Sequence, residues 1–193
     1  IDAGIFHNDV ISFGFKNFLF CHKEAFEDQK SQLDILQNQY EDIFHCPLII
    51  IEVDEIELET AVSTYIFNSQ VISHKNRDYL LCPLGVKENK QTQLLVNKWK
   101  KLGFFNDVIF VSLKQSLMNG GGPGCMRLTL LLNEDEIQNI PSNYFCSFKT
   151  LSKLESIIKS TFPESFNINT FNLKNSKEIE SMIETLILEK NRI

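Results

Sequence analysis

The 193 residues are 43% hydrophobic, with 16 Phe and a formal net charge of -6. That much apolar surface describes a packed chain rather than a disordered one, which could not offset its ordering entropy by burial. The acidic balance argues against nucleic-acid binding, which needs a basic face to displace counterions from phosphates. No apolar run approaches the ~20 residues of a membrane span and no basic-then-apolar leader is present, so no membrane partner is expected and the cytoplasm is the expected address.

The chain opens on Ile1 and goes at once into a strand-like run at residues 5–6, the pattern of a piece cut from a longer polypeptide. Short apolar bursts at 10–13 and 18–21 read as further strands. Residues 24–40 space their apolar positions at helical intervals. Pro47 closes that helix, and 48–53 is a β-branched burst of the kind expected in a strand buried on both faces. The order then recurs: helix at 57–67, strands at 69–73 and 79–82, a long amphipathic helix at 88–102 and a strand at 108–113. Lys98, Lys100 and Lys101 interleave with Leu94, Leu95, Val96, Trp99 and Leu102 on that helix, which reads as a solvated face.

Beyond a glycine run, residues 127–132 read as another strand. Ser152 with Glu155, and Asn175 with Glu178, form capping-box patterns for two tail helices. The fold class is therefore α/β, with mixed sheets built from repeated strand-strand-helix-strand modules and a helical tail over 150–193.

The five cysteines, Cys21, Cys46, Cys82, Cys125 and Cys146, are odd in number and sit mostly in apolar runs, which suits buried thiols rather than a disulfide framework. His22 and His45 each adjoin a cysteine, a spacing that turns neighbours on a strand to opposite faces, so no metal site is expected.

The densest signal lies at 115–127, where four of the eight glycines fall within residues 120–124. Such a run is costly in conformational entropy and is carried where backbone must approach something closely or take positive φ. A tight connector fits it. A phosphate loop fits less well, because Cys-Met-Arg stands where Lys and Ser or Thr would follow the glycines. A third reading makes Cys125 a nucleophile, its thiolate favoured by local amides or a nearby imidazolium. His7, Asn8 and Asp9 interrupt an otherwise apolar stretch. Three consecutive polar residues are not buried without partners, so they are expected to face a wet cleft.

Four stretches, Phe6-His7-Asn8-Asp9-Val10-Ile11, Phe20-Cys21-His22-Lys23-Glu24-Ala25-Phe26, Tyr65-Ile66-Phe67-Asn68-Ser69-Gln70 and Asn119-Gly120-Gly121-Gly122-Pro123-Gly124-Cys125-Met126-Arg127-Leu128, occur in the order and spacing of the succinylarginine dihydrolases. The chain resembles that family over essentially its whole length. The resemblance implies the pentein fold shared with arginine deiminase relatives, a propeller of ββαβ modules of which residues 1–193 would be the carboxy-terminal two to three.

It also implies Cys125 and His7 as the catalytic pair, with Asp9 and Asn119 contacting the substrate. The implied reaction is hydrolysis of a guanidino substrate, N2-succinyl-L-arginine, to N2-succinyl-L-ornithine, two ammonia and carbon dioxide, with no cofactor. The family's catalytic Glu and a substrate-binding Arg lie ahead of its histidine, outside these residues, so the isolated chain is expected to be inactive. The sequence departs from the family at Gly14-Phe15-Lys16-Asn17, where the turn after the histidine segment is altered. A partial propeller exposes strand edges, and homo-oligomerisation is an expectation on that ground. The alternative, from another class, is a non-catalytic α/β binding or assembly module.

Overall fold

The computed structural model describes residues 4–118, 121–126, 130, 132–141, 147–161, 177, 180, 181, 183 and 184. They fall in two compact units, Ile1–Thr129 and Leu130–Ile193.

The first unit is mixed α/β and holds two three-stranded sheets of the same construction. In one, β1 (Ser12–Phe15) pairs antiparallel with β2 (Phe18–His22), and β2 pairs in parallel with β3 (Ile49–Val53). Helix α1 (Gln29–Phe44) makes the crossover that a parallel pair requires. In the other, β4 (Gln70–His74) pairs antiparallel with β5 (Arg77–Pro83), which pairs in parallel with β6 (Asp107–Val111). Two helices, α3 (Leu84–Glu88) and α4 (Lys90–Lys101), make that crossover. The repeat expected from the sequence is present twice as ββαβ. Helix α2 (Leu58–Thr64) and a 3-10 turn, Ile66–Asn68, join the two copies.

Local chemistry sets these boundaries. The β4–β5 hairpin turns on Lys75 and Asn76, both with left-handed φ (48° and 60°), as a two-residue turn matched to strand twist demands. The altered Lys16-Asn17 pair closes β1–β2 with Lys16 at φ 53°. Asn17 then anchors the start of β3: its side chain donates to the Pro47 carbonyl (3.0 Å), and its own carbonyl accepts from the Ile49 N–H (2.7 Å). Asn89 caps α4 by accepting from the N–H groups of Gln91 and Thr92.

Several expected elements shift. No strand forms at residues 5–6; a 3-10 turn, Asn8–Val10, follows instead, because His7 caps it through its ring. Helix α1 begins at Gln29 rather than residue 24. Asp28 takes a left-handed φ of 48°, which interrupts a right-handed helix, and the N–H groups of Glu24, Ala25 and Phe26 bond to the His22 ring and the Gln29 side chain. Strand β3 is not buried on both faces: it is an edge strand, with Ile49 and Glu52 exposed and Val53 buried. The run expected as a strand at 127–132 lies mostly outside the described residues, and its described members Leu130 and Leu132 belong to no strand.

A single core lies between the two ββαβ copies. Phe13 and Phe20 stack at 4.8 Å between ring centroids. Trp99 of α4 meets both edge-on, at 6.1 and 5.1 Å, while Phe104 and Phe105, just past the same end of that helix, close on Phe20. Phe20 is fully buried, a burial that stabilises by roughly 1.5–3 kcal/mol before packing geometry is counted. Val53, Ile56, Ala61, Ile66, Phe67, Leu80, Cys82, Val86, Leu95 and Val96 complete the cluster. The Lys16 ammonium also joins the first copy to the second through a 2.7 Å contact with Asp78 on β5.

Helix α5 (Lys114–Met118) follows β6 in the first unit, and the second unit contains α6 (Glu134–Gln138) and α7 (Phe148–Thr161). Its capping box is Asn133 with Glu136. The expected box at Ser152 is not a helix start, because α7 already runs through it; the Ser147 hydroxyl accepts the Thr150 N–H one turn earlier. The second expected box, Asn175 with Glu178, lies outside the described residues. Among the described residues no helix is long and apolar enough to cross a membrane.

Candidate active site

Asn68, at the end of the 3-10 turn after α2, is fully buried and forms the junction of three segments. Its Oδ1 accepts from the backbone N–H groups of Gly124 (3.1 Å) and Cys125 (3.3 Å). Its Nδ2 donates to the Cys125 sulfur (3.0 Å) and to the Asp9 carbonyl (3.3 Å). Its own carbonyl accepts from Gly124 N as well, at 2.8 Å. The orientation of the amide follows from this surrounding, since reversing it would set NH2 against two N–H donors.

Asn68 explains two of the glycines. A Cβ on Gly122 would stand 2.3 Å from Asn68 Oδ1, and one on Gly124 would stand 3.3 Å from both Asn68 O and Oδ1. Gly121 is similarly close to Ser116, whose hydroxyl a Cβ would meet at 2.9 Å and whose carbonyl accepts the Gly121 N–H. None of these three takes positive φ. The loop needs glycine for close approach, and what approaches it is a buried asparagine.

Cys125 is exposed at the end of this loop. The other described thiols differ in setting. Burial pushes the Cys82 thiol up to about 12, against a partly opposing contact with the Ser69 hydroxyl at 3.3 Å. Burial, and then the Glu52 carboxylate, push Cys21 up to about 11. Both remain neutral thiols near pH 7, and Cys46 is only partly accessible. Cys146 lies outside the described residues. The Tyr65 phenol is held above its usual range first by burial and then by the electrostatic influence of Cys125.

On the other side of Asn68, His7 Nδ1 accepts the Asp9 N–H at 3.1 Å and lies 3.7 Å from the Asp9 carboxylate. Acceptance at Nδ1 places the proton of the neutral ring on Nε2. The His7 side chain is 61% exposed and that of Asp9 38%, so the polar triplet does face solvent. The 3-10 turns at Asn8–Val10 and Ile66–Asn68 pack together. His7, Asp9 and Cys125 therefore belong to one hydrogen-bonded assembly with Asn68 at its centre, and Asn119 lies outside the described residues.

His22 is a buried structural residue: its Nε2 donates to the Ile56 carbonyl at 3.0 Å while Nδ1 accepts the Glu24 N–H. His45 terminates α1, and His74 is exposed at the end of β4. Among the described residues no three His, Cys, Asp or Glu side chains are grouped to hold a metal ion. Lys98 and Lys100 pair with Glu55 and Asp107, as a solvated helix face would.

Tyr65 and Asn68 stand in one of the four family-like stretches, which gives neither a role; a further signal is that Asn68 follows Ile66 and Phe67, and an amide in a run of buried apolar residues needs partners that such a run does not offer.

Comparison with known proteins places the chain in a family. The model of the family described as succinylarginine dihydrolase matches residues 1–187. N-succinylarginine dihydrolase of Aliivibrio salmonicida is 39% identical over 143 residues, 72% of this chain and 32% of that protein. The enzyme of the same name from Photobacterium profundum is 37% identical over 167 residues, 84% of this chain and 36% of that protein. That from Aliivibrio fischeri is 40% identical over 139 residues, 70% and 31% respectively. The chain spans about a third of the length of these curated relatives. With the family model matching nearly all of it, and with the glycine loop, the exposed thiol and the histidine turn gathered on one buried asparagine, the chain belongs to the succinylarginine dihydrolase family.

Proposed function

We propose that this chain supplies the nucleophile and the proton-transfer group of a cysteine-dependent guanidino hydrolase, with Cys125 as nucleophile, His7 as proton carrier, and Asp9 and Asn119 as substrate contacts. The substrate is N2-succinyl-L-arginine, and the products are N2-succinyl-L-ornithine, two ammonia and carbon dioxide. What supports this most is the chain of contacts running from the Asp9 carbonyl through Asn68 Nδ2 to the Cys125 sulfur, which ties the histidine turn to the one exposed thiol among the described residues.

In this reading the thiolate attacks the planar guanidinium carbon, forming a C–S bond, and ammonia leaves with a proton from His7. His7 then takes a proton from water as it adds to the thiouronium carbon, and the C–S bond breaks to release a ureido intermediate and restore the thiolate. A second hydrolytic round releases the remaining ammonia and the carbon as carbon dioxide. His7 suits the task because the Asp9 N–H fixes one ring nitrogen and leaves the exchangeable proton on the other. The Asp9 carboxylate complements the cationic substrate. The two ββαβ copies agree with residues 1–193 forming two to three carboxy-terminal modules of a pentein propeller. The reading also carries a cytoplasmic address and self-association through exposed strand edges, and it makes the isolated chain inactive without the Glu and Arg contributed from elsewhere in the propeller.

In the complete protein carrying this chain, Cys125→Ser should reduce ammonia release from succinylarginine to background while near-ultraviolet circular dichroism stays unchanged. His7→Ala should slow release by about 10²- to 10⁴-fold, the usual loss for a missing general acid/base. Full ammonia release from folded Cys125→Ser would refute the nucleophile assignment, and full release from His7→Ala would reassign the proton carrier.

A further inference from the structure

From the geometry at Cys125 we infer that Asn68 is a positioning residue for the thiolate, holding the sulfur with its side-chain N–H and the loop backbone with its carbonyl oxygen. The inference rests on the reading of Cys125 as nucleophile and extends it to a residue that has no assigned role.

Three observations carry it. Asn68 is completely buried, and each polar atom of its side chain faces the complementary kind of group: Oδ1 meets two N–H donors, and Nδ2 meets a sulfur and a carbonyl. The contact with sulfur is the shortest that this side chain makes, at 3.0 Å. Finally, the glycines at 122 and 124 leave room for Asn68 and for nothing larger.

The division of labour follows. A hydrogen-bond donor to the charged form of an acid favours that form, and a donor aimed at a thiolate favours the nucleophilic state. The backbone N–H groups of Gly124 and Cys125 are directed at Asn68 Oδ1, and the side-chain N–H of Asn68 is directed at the sulfur. Because the same Nδ2 also holds the Asp9 carbonyl, Asn68 fixes the sulfur relative to the turn that His7 caps.

Asn68→Asp separates the two jobs. The carboxylate keeps an acceptor for the loop N–H groups and replaces the donor with a negative oxygen against sulfur. In the complete protein, the rate of carbamidomethylation of Cys125 by iodoacetamide, followed by peptide mass between pH 5.5 and 9.5, should fall roughly tenfold or more at pH 7, the worth of one hydrogen bond to a charged group. The whole profile should move to higher pH. Cys21 and Cys82, buried in both proteins, should stay unmodified and report that the fold is kept.

An unchanged rate and profile in folded Asn68→Asp would overturn the inference. If that variant does not fold, the parent protein decides: the Asn68 side-chain N–H resonances should titrate with the alkylation midpoint and lose that titration in Cys125→Ala. Resonances that do not respond to Cys125 ionisation would equally overturn it. The readout needs no substrate. Persistent turnover by Cys125→Ser would therefore sink the nucleophile reading, while an unmoved alkylation profile would sink only the role given to Asn68.

Discussion

At the scale of single residues, the glycine run gains its meaning from Asn68. Sequence made the run conspicuous and left its purpose open between a connector, an anion cradle and a nucleophile loop. A close approach was legible, because four glycines in five positions must accommodate something. Its partner was not, since Asn68 lies more than fifty residues away and only tertiary packing joins the two. Gly122→Ala sets a methyl 2.3 Å from Asn68 Oδ1, and that amide is fixed by its hydrogen bonds and cannot simply swing aside. The substitution should destabilise the complete protein by about 1–3 kcal/mol in urea unfolding, as overpacking does, and should slow Cys125 alkylation. A stability and alkylation rate equal to the parent's would mean that the loop is not packed against Asn68.

At the scale of elements, the period-two and helical patterns identified the repeated strand-strand-helix-strand order, and the two copies do share one topology. Where the structure differs, local backbone geometry decides: His7 caps a 3-10 turn ahead of β1, and the left-handed φ of Asp28 delays α1 to Gln29. Composition also could not distinguish an edge strand from a central one, so β3, rich in isoleucine, was expected to be more buried than it is.

Contacts between the copies were equally invisible in sequence, the clearest being Lys16 from the first hairpin to Asp78 in the second. Hydrogen bonds from Lys16 and then Ser73 outweigh burial and hold the Asp78 carboxyl below its usual range. A carboxylate depressed in the folded state contributes stability above its unfolded pKa of ~3.9 and loses it as pH falls through the lower folded value. Asp78→Asn should therefore cost at most about 1 kcal/mol at pH 7 in urea unfolding, and this difference should shrink below pH 4. A penalty of equal size at pH 7 and pH 2.5 would show that charge is not what joins the hairpins there.

At the scale of the whole molecule, the chain spans about a third of its curated relatives and holds two ββαβ copies. On the proposed reading, a propeller gathers its chemistry near the axis from several modules, and this segment supplies the histidine turn and the cysteine loop. The resemblance to the family was readable from short motifs. The physical link between those motifs was not, because the residue that connects them is an amide with no chemistry of its own.

The most direct test of the account is a rapid acid quench of the complete protein during turnover of succinylarginine, followed by mass analysis of the peptide containing Cys125. The predicted result is a covalent adduct on Cys125 equal to the substrate less one ammonia, appearing and decaying as ammonia is released. Covalent mass on a different residue, or a Cys125 that stays unmodified throughout turnover, would contradict it.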